Sequence, residues 1–537
     1  MMKNVAEVVK NHPILVYLGI LVLLPFALFI NLGLMPLISD EPTRAVVTLE
    51  MILSGNYITP TINGEFYYNK PPLFNWLLAG VVALTGNMNE FTLRLPTVIS
   101  LILLAFSIFL FSRKTLGWQH GALSGLMIVL SARILFWDSF QGLIDLTYSL
   151  VTFWSFMALY HFSDRKQWLP LFVITYGCAA AGFLMKGFPS VAFQGISLLV
   201  WLTYLRSFRK LFSWQHLAGI AFFAMIAGTY YYFYLQTNSL QDLFSTLIDQ
   251  SNRLNDKEGS IGHWLGHLVV FPFEMSYEFA PWTLLLLLLF NKSIRQAIFS
   301  DRLITFSLLM FLSNIVIYWI SADMRPRYLF MLFPLLFVVL TKAWQAALAQ
   351  PGGLLKFVNT AFQLLAFAGL LSLLVYPFWS ETRELMGVRI LIPVLLLISL
   401  SAAFLTLKIR QLIIPLLMIV LLTVRIAFNL YNLPARYASY PDAGYRAGEI
   451  RAGGLTRGHP VYVLGDTPFN HDASFYISRE NGSIVRRVWS VEDSAAFYIA
   501  DRKNLANFAS IPETWEVKHE FTIKLNETRL LLIKKKP

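Results

Sequence analysis

The sequence predicts an α-helical polytopic membrane protein with a small α/β domain at its C-terminal end. Three observations lead there. Of the 537 residues, 56% are hydrophobic and only 14% are charged, with a mean hydropathy of +0.58, where soluble domains carry roughly 25% charged residues. Apolar stretches of the roughly 20 residues needed to cross a bilayer recur near 13–33, 93–112, 118–137, 142–162, 168–185, 189–205, 215–235, 268–290, 303–321, 328–348, 355–377, 388–407 and 411–431, about thirteen spans in all. Every second connection is basic: Arg113-Lys114, Arg165-Lys166, Arg206 with Arg209-Lys210, Lys292 with Arg295 and Arg302, Lys342 with Lys356, and Lys408 with Arg410. With a cytoplasmic N-terminus, all of these loops obey the positive-inside rule, and the rest of the connections face the other side of an inner membrane.

The first stretch, 13–33, follows Lys3 and Lys10 and has no small-x-small cleavage signature, so it reads as an uncleaved span. The net charge of +12 lies in short loops between apolar segments, a topology signal with no basic face or RNA module, and nucleic acid is not an expected partner. Cys178, the only cysteine, sits in an apolar segment, which excludes a disulfide or a thiolate metal site within one chain.

The expected domains are a membrane domain over 1–431, whose first outer loop covers 34–92, and a soluble domain over 432–537. In the loop, Asp40 reads as an N-cap with Glu41 and Pro42 in the first helical turn. Ala45, Leu49 and Ile52 share a face, and Gly55 ends the helix. Asn63-Gly64 is a turn signal, and Lys70-Pro71-Pro72 opens a second helix, 73–84, apolar enough to lie in the membrane surface. Beyond 432, strands are expected over 461–465, 483–485, 496–500 and 530–533, with Gly465-Asp466 a strand-end turn rather than a nucleotide loop.

Ionisable residues at membrane depth are costly and mark candidate sites. Here Asp40, Glu41, Glu65, Lys70, Asp138, Asp145, Lys186, Arg325 and Arg327 all fall on one side. Carboxylates beside Lys and Arg suit a reaction in which a hydroxyl is activated while an anionic phosphate departs onto cations. Each has a plainer reading: Asp40 and Asp145 as helix caps, Asp138 as a solvated loop acid, Lys186 as a snorkelling helix end, Arg325 and Arg327 as surface charge beside an interfacial Tyr328. His263 and His267, four apart, face a metal only if a third ligand joins them, and a structural role is the simpler expectation. Trp282 after Pro281 reads as an interfacial anchor, and Arg253 as a headgroup contact or a solvated charge. A transporter or flippase of an anionic or polyprenyl lipid remains the alternative, since a cationic cavity serves either; transporters, however, hold their charges near the midplane on broken helices.

The set Asp40-Glu41, residues 51–55, Asn63-Gly64, Lys70-Pro71-Pro72-Leu73, Glu90 with Arg94-Leu95-Pro96, Asp145, Leu184-Met185-Lys186-Gly187, Pro281-Trp282 and Arg325-Pro326-Arg327-Tyr328 resembles the GT-C membrane glycosyltransferases of the protein O-mannosyltransferase group. It is most similar to their bacterial branch, which includes the 4-amino-4-deoxy-L-arabinose lipid A transferases. The resemblance implies transfer of a sugar from a polyprenyl-phosphate donor to a periplasmic acceptor, lipid A or another glycolipid ahead of protein. It implies Asp40 as principal catalytic carboxylate, with Glu41 beside it, and Asp145 as a second essential acid. Lys70, Lys186, Arg325 and Arg327 would hold the donor phosphate, and direct attack would invert the anomeric carbon. No cofactor follows from the residues themselves. A divalent metal is expected only where an acid precedes the Lys-Pro motif, and Asn69 stands there.

Overall fold

The computed structural model describes residues 2–239, 261–321, 324–385, 387–491, 493–507 and 515–536. The membrane region is a helical bundle, and the protein is polytopic. Among the described residues, seven helices are long and apolar enough to cross a membrane, or up to nine if each of two bent pairs is one span. Helices overlie all thirteen apolar segments, but Pro189–Tyr204 and Phe333–Ala349 have only 16 and 17 residues. The segment near 268–290 divides into helix Ile261–Glu278 and a 3-10 helix, Trp282–Phe290. Trp282 is therefore not the expected interfacial anchor. It is fully buried beside Phe362, because the tight 3-10 turn after Pro281 directs it into the bundle.

The outer loop folds as its residues dictate. Helix Glu41–Ser54 has Pro42 in its first turn, where a missing N–H costs nothing, and Gly55 closes it at φ 69°, a conformation that favours glycine. Strands β1 (Thr61–Ile62) and β2 (Glu65–Phe66) pair across Asn63-Gly64, whose φ values of 56° and 78° make the two-residue hairpin turn. Buried Glu50 pins that turn, accepting from the Thr61 hydroxyl at 2.7 Å and the Asn63 and Gly64 N–H groups at 2.6 and 3.2 Å. Burial raises its pKa, and these hydrogen bonds pull the other way. Helix Leu73–Thr85 follows the loop that carries Lys70.

The C-terminal part builds one five-stranded sheet of order β4-β3-β5-β7-β6, with β3 Val461–Leu464, β4 Arg486–Val488, β5 Phe497–Ala500, β6 Trp515–Thr522 and β7 Arg529–Lys535. Strand β3 pairs parallel with β4 and β5, and β7 pairs antiparallel with β5 and β6. The strand expected over 483–485 lies three residues later, and β6 was not expected. Helix His471–Asn481 packs on helix Glu41–Ser54. There Tyr476 donates its hydroxyl to Glu90 Oε1 at 2.9 Å and accepts from the Leu37 N–H at 3.2 Å. Thr43 meets His471 Nδ1 at 2.9 Å, and Arg446 pairs with Glu90 at 3.2 Å.

Candidate active site

Four side chains from distant parts of the chain form one continuous line of charge: Asp40, Arg327, Asp145 and Lys186. Arg327 donates through Nη2 to Asp40 Oδ2, and its Nε lies 3.7 Å from Asp145 Oδ2. Lys186 Nζ reaches Asp145 Oδ1 at 2.5 Å. Arg325 stands farther off, 3.9 Å from Asp40 and half exposed. A fork such as Arg327 binds two anions at once, which is why it can join the acids where a lysine would hold one.

Local structure delivers each group. Asp40 occupies the N-cap position but makes no capping hydrogen bond, and 55% of its side chain is exposed. The cap position is as expected, but the carboxylate makes no capping bond and pairs with Arg327 instead. Asp145 sits in the first turn of helix Ile144–Asp164 and is buried. Lys186 ends helix Trp168–Lys186, where the macrodipole favours a cation, and Gly187 at φ 78° turns the chain away. It does not snorkel; its ammonium lies over the rings of Tyr148 and Tyr328, 5.0 and 4.6 Å from their centroids. Tyr328 is thus a wall of the site rather than an interfacial anchor. Pro326 starts the short 3-10 helix Pro326–Leu329, which turns Arg327 inward while Arg325 remains at the mouth.

Lys70 belongs to the same neighbourhood. Burial lowers its pKa to about 8, with Lys186 and Arg44 pushing the same way and Asp145 and Asp40 opposing. Arg44, one helical turn after Asp40, was not singled out from the sequence, although a spacing of four places both on one helix face. It is buried, donates to the Tyr67 hydroxyl, and leaves Nη1 without a partner.

Glu41 does something else. Its Oε1 accepts from Arg94 Nε at 2.8 Å and from the Gly142 N–H at 2.6 Å, and its Oε2 accepts from Arg94 Nη2 at 2.9 Å and from the Ile38 N–H at 2.8 Å. A carboxylate offers about four acceptor positions, and all are filled. Arg94 spends its remaining three N–H groups on the Leu32, Met35 and Pro36 carbonyls. The catalytic role expected of Glu41 beside Asp40 finds no free acceptor position, and Glu41 acts as a joint. It ties the Asp40 turn to a span and to the corner that leads to Asp145. Gly142 is glycine there because a Cβ would stand 2.7 Å from the Leu93 carbonyl.

Asp138 is not a solvated loop acid either. It is buried and paired with Arg133 at 2.8 Å, and Arg133 also meets Glu278 at 3.1 Å. Glu65 is exposed on the hairpin. Among the described residues no three His, Cys, Asp or Glu side chains assemble as a metal donor set. His267 packs against Phe271, the His263 side chain is outside the described residues, and Arg253 also lies outside them.

The fold is that of the GT-C membrane glycosyltransferases. The structure superposes on crystal structures of ArnT from Cupriavidus metallidurans bound to undecaprenyl phosphate and in the apo state, with TM-scores of 0.69 and 0.66, 19% identity, 96% of this chain and 97% of that chain covered in each case. At that identity the likeness establishes shared architecture. Residues 69–232 match the family described as dolichyl-phosphate-mannose-protein mannosyltransferase. Among curated relatives, the undecaprenyl phosphate-alpha-4-amino-4-deoxy-L-arabinose arabinosyl transferase of Edwardsiella ictaluri is 26% identical over 188 residues, 34% of this chain and 33% of that protein. Its Pseudomonas aeruginosa PAO1 counterpart is 27% identical over 215 residues, 39% of this chain and 37% of that protein. The match therefore spans about a third of the relatives' length.

Proposed function

We propose that this protein transfers a glycosyl group from a polyprenyl-phosphate-linked sugar, undecaprenyl in a bacterial membrane, to lipid A or another envelope glycolipid, with protein Ser or Thr the less favoured acceptor. The observation that carries this reading is the unbroken run Asp40–Arg327–Asp145–Lys186 with Lys70 beside it. One exposed carboxylate borders a set of cations, and the buried acid Asp145 pairs with two of them, Lys186 and Arg327. The similar arabinosyl transferases, named for an undecaprenyl-phosphate donor, support the donor class. The alternating basic loops support placing the site and the C-terminal domain on the periplasmic side of the inner membrane.

In the proposed reaction an acceptor oxygen forms a bond to the anomeric carbon as the bond from that carbon to the carrier phosphate oxygen breaks. The electron pair leaves with the polyprenyl phosphate, whose growing charge Lys70, Lys186, Arg325 and Arg327 stabilise. Asp40 orients the acceptor and takes the proton when the acceptor is a hydroxyl; a phosphate acceptor arrives already ionised. Direct attack inverts the anomeric carbon. The test is release of polyprenyl phosphate by purified protein given undecaprenyl-phosphate sugar and lipid A, with divalent ions added or chelated. Asp40→Asn should abolish release while folding persists, and full activity in that variant would overturn the assignment.

A further inference from the structure

Far from this site the chain builds a second cluster of cations, on an open surface. Helix Glu90–Leu116 runs from the Glu41 joint to the opposite rim, roughly 40 Å away for 27 residues at 1.5 Å each. There two adjoining open recesses share Ser300, the larger lying on the outer face of the segment 292–300. Lys292 and Arg295 line the larger, Lys342 and Gln345 the smaller, and no carboxylate lines either. Among the described residues none of the three cations has an ion-pair partner within 4.0 Å. Arg295 is steadied by the Leu289 and Phe290 carbonyls, at 2.8 and 3.1 Å, and keeps its other N–H groups for a ligand. Gln345 donates to the Leu116 carbonyl at 3.3 Å, and its Oε1 is buried without a partner.

The segment carrying these cations is amphipathic. In helix Lys292–Phe299, Ile294 and Ile298 are buried against the bundle, while Lys292 and Arg295 lie on the open side. Phe290 and Phe299 flank it, 75% and 61% exposed. Bare aromatic rings beside bare cations suit the boundary between acyl chains and headgroups, and a free anion in water would need no such rings. We infer that this surface binds the headgroup phosphate of an anionic glycerophospholipid in the leaflet opposite the Asp40 site. Lys292, Arg295 and Lys342 receive the phosphate, and Phe290 and Phe299 lie against the acyl chains.

The test is binding of dioctanoyl phosphatidylglycerol to the purified full-length protein, read by native mass spectrometry. Phosphatidylcholine of the same chain length and inorganic phosphate serve as comparison ligands. Phosphatidylglycerol should bind preferentially, and the triple variant Lys292→Gln, Arg295→Gln, Lys342→Gln should weaken it by about tenfold or more, given the attraction of each basic residue to an anionic lipid. Ala297→Trp, which fills the smaller recess and leaves every charge in place, should weaken it as well. Equal binding of phosphatidylcholine would overturn the inference. So would equal binding of inorganic phosphate, which marks an anion site without lipid character. Unchanged affinity in a folded triple variant, or in Ala297→Trp if the triple variant fails to fold, would also refute it.

Discussion

The adjacent acids Asp40 and Glu41 should fail in opposite ways when each loses its charge. Glu41 and Arg94 are almost wholly buried, with side chains 2% and 1% exposed. Glu41→Gln leaves a guanidinium facing a neutral amide and presents an NH₂ group to N–H donors. Breaking one partner of a buried pair costs about 3–5 kcal/mol, so the thermal midpoint in detergent should fall steeply, and activity should fall with the folded fraction. Asp40, half exposed, belongs to a pair class worth about 0–1 kcal/mol. Asp40→Asn should therefore keep the wild-type midpoint and lose sugar transfer. Pairing Glu41→Gln with Arg94→Met should recover only part of the loss, because three carbonyls that Arg94 serves are then orphaned. The measurements are thermal unfolding followed by intrinsic fluorescence and release of polyprenyl phosphate, on the same preparations. Glu41→Gln with an unchanged midpoint and no turnover would return Glu41 to the reaction and refute the joint.

Lys70, with a pKa lowered from 10.5 to about 8 by burial, is cationic below that value and neutral above it. Donor affinity should drop as pH rises through about 8, and Lys70→Arg should remove that break in a pH profile of KM. Its stability effect has the opposite sense: the fold favours the neutral amine, so the contribution grows between about pH 8 and 10.5. Lys186→Met leaves buried Asp145 with only its 3.7 Å pair to Arg327, and both the midpoint and transfer should fall; adding Asp145→Asn should recover part of the midpoint without restoring transfer. Tyr476→Phe removes a hydroxyl that serves both Leu37 and Glu90, and about 1–3 kcal/mol of stability should go with it, measured as earlier proteolysis of the C-terminal domain.

Charge is sparse in an apolar chain, and this made much of the site legible in advance. Asp40, Lys70, Asp145, Lys186, Arg325 and Arg327 were singled out because each interrupts or borders a hydrophobic run, and the structure gathers them on one rim. Which of two adjacent acids is exposed and meets Arg327, and which is buried, was not legible. That choice rests on Arg94 and Gly142, 53 and 101 residues from Glu41. Trp282 illustrates the same limit, since Pro-Trp before an apolar run fits an interface or a core equally well, and only packing against Phe362 decides. Strand β6 was missed because Trp515–Thr522 reads as largely polar, the composition of an edge strand that faces water. Arg44 was overlooked as one charge in a helical turn, although its spacing from Asp40 was a usable signal.

The joint at Glu41 also links the C-terminal sheet region to the candidate site. Tyr476 binds the Leu37 N–H, one residue before the N–H that Ile38 gives to Glu41. It also binds Glu90, one helical turn before Arg94. Arg446 reinforces both places, pairing with Glu90 and donating to the Leu34 carbonyl at 3.2 Å. The turn that aims Asp40 is thus held from inside by a saturated carboxylate and from outside by a docked helix. Loosening either hold should let Asp40 shift relative to Arg327 more than Asp145 and Lys186, which lie on helices packed in the bundle. The geometry of the candidate site then depends most on the one element, residues 34–40, that has no regular secondary structure of its own to keep it rigid.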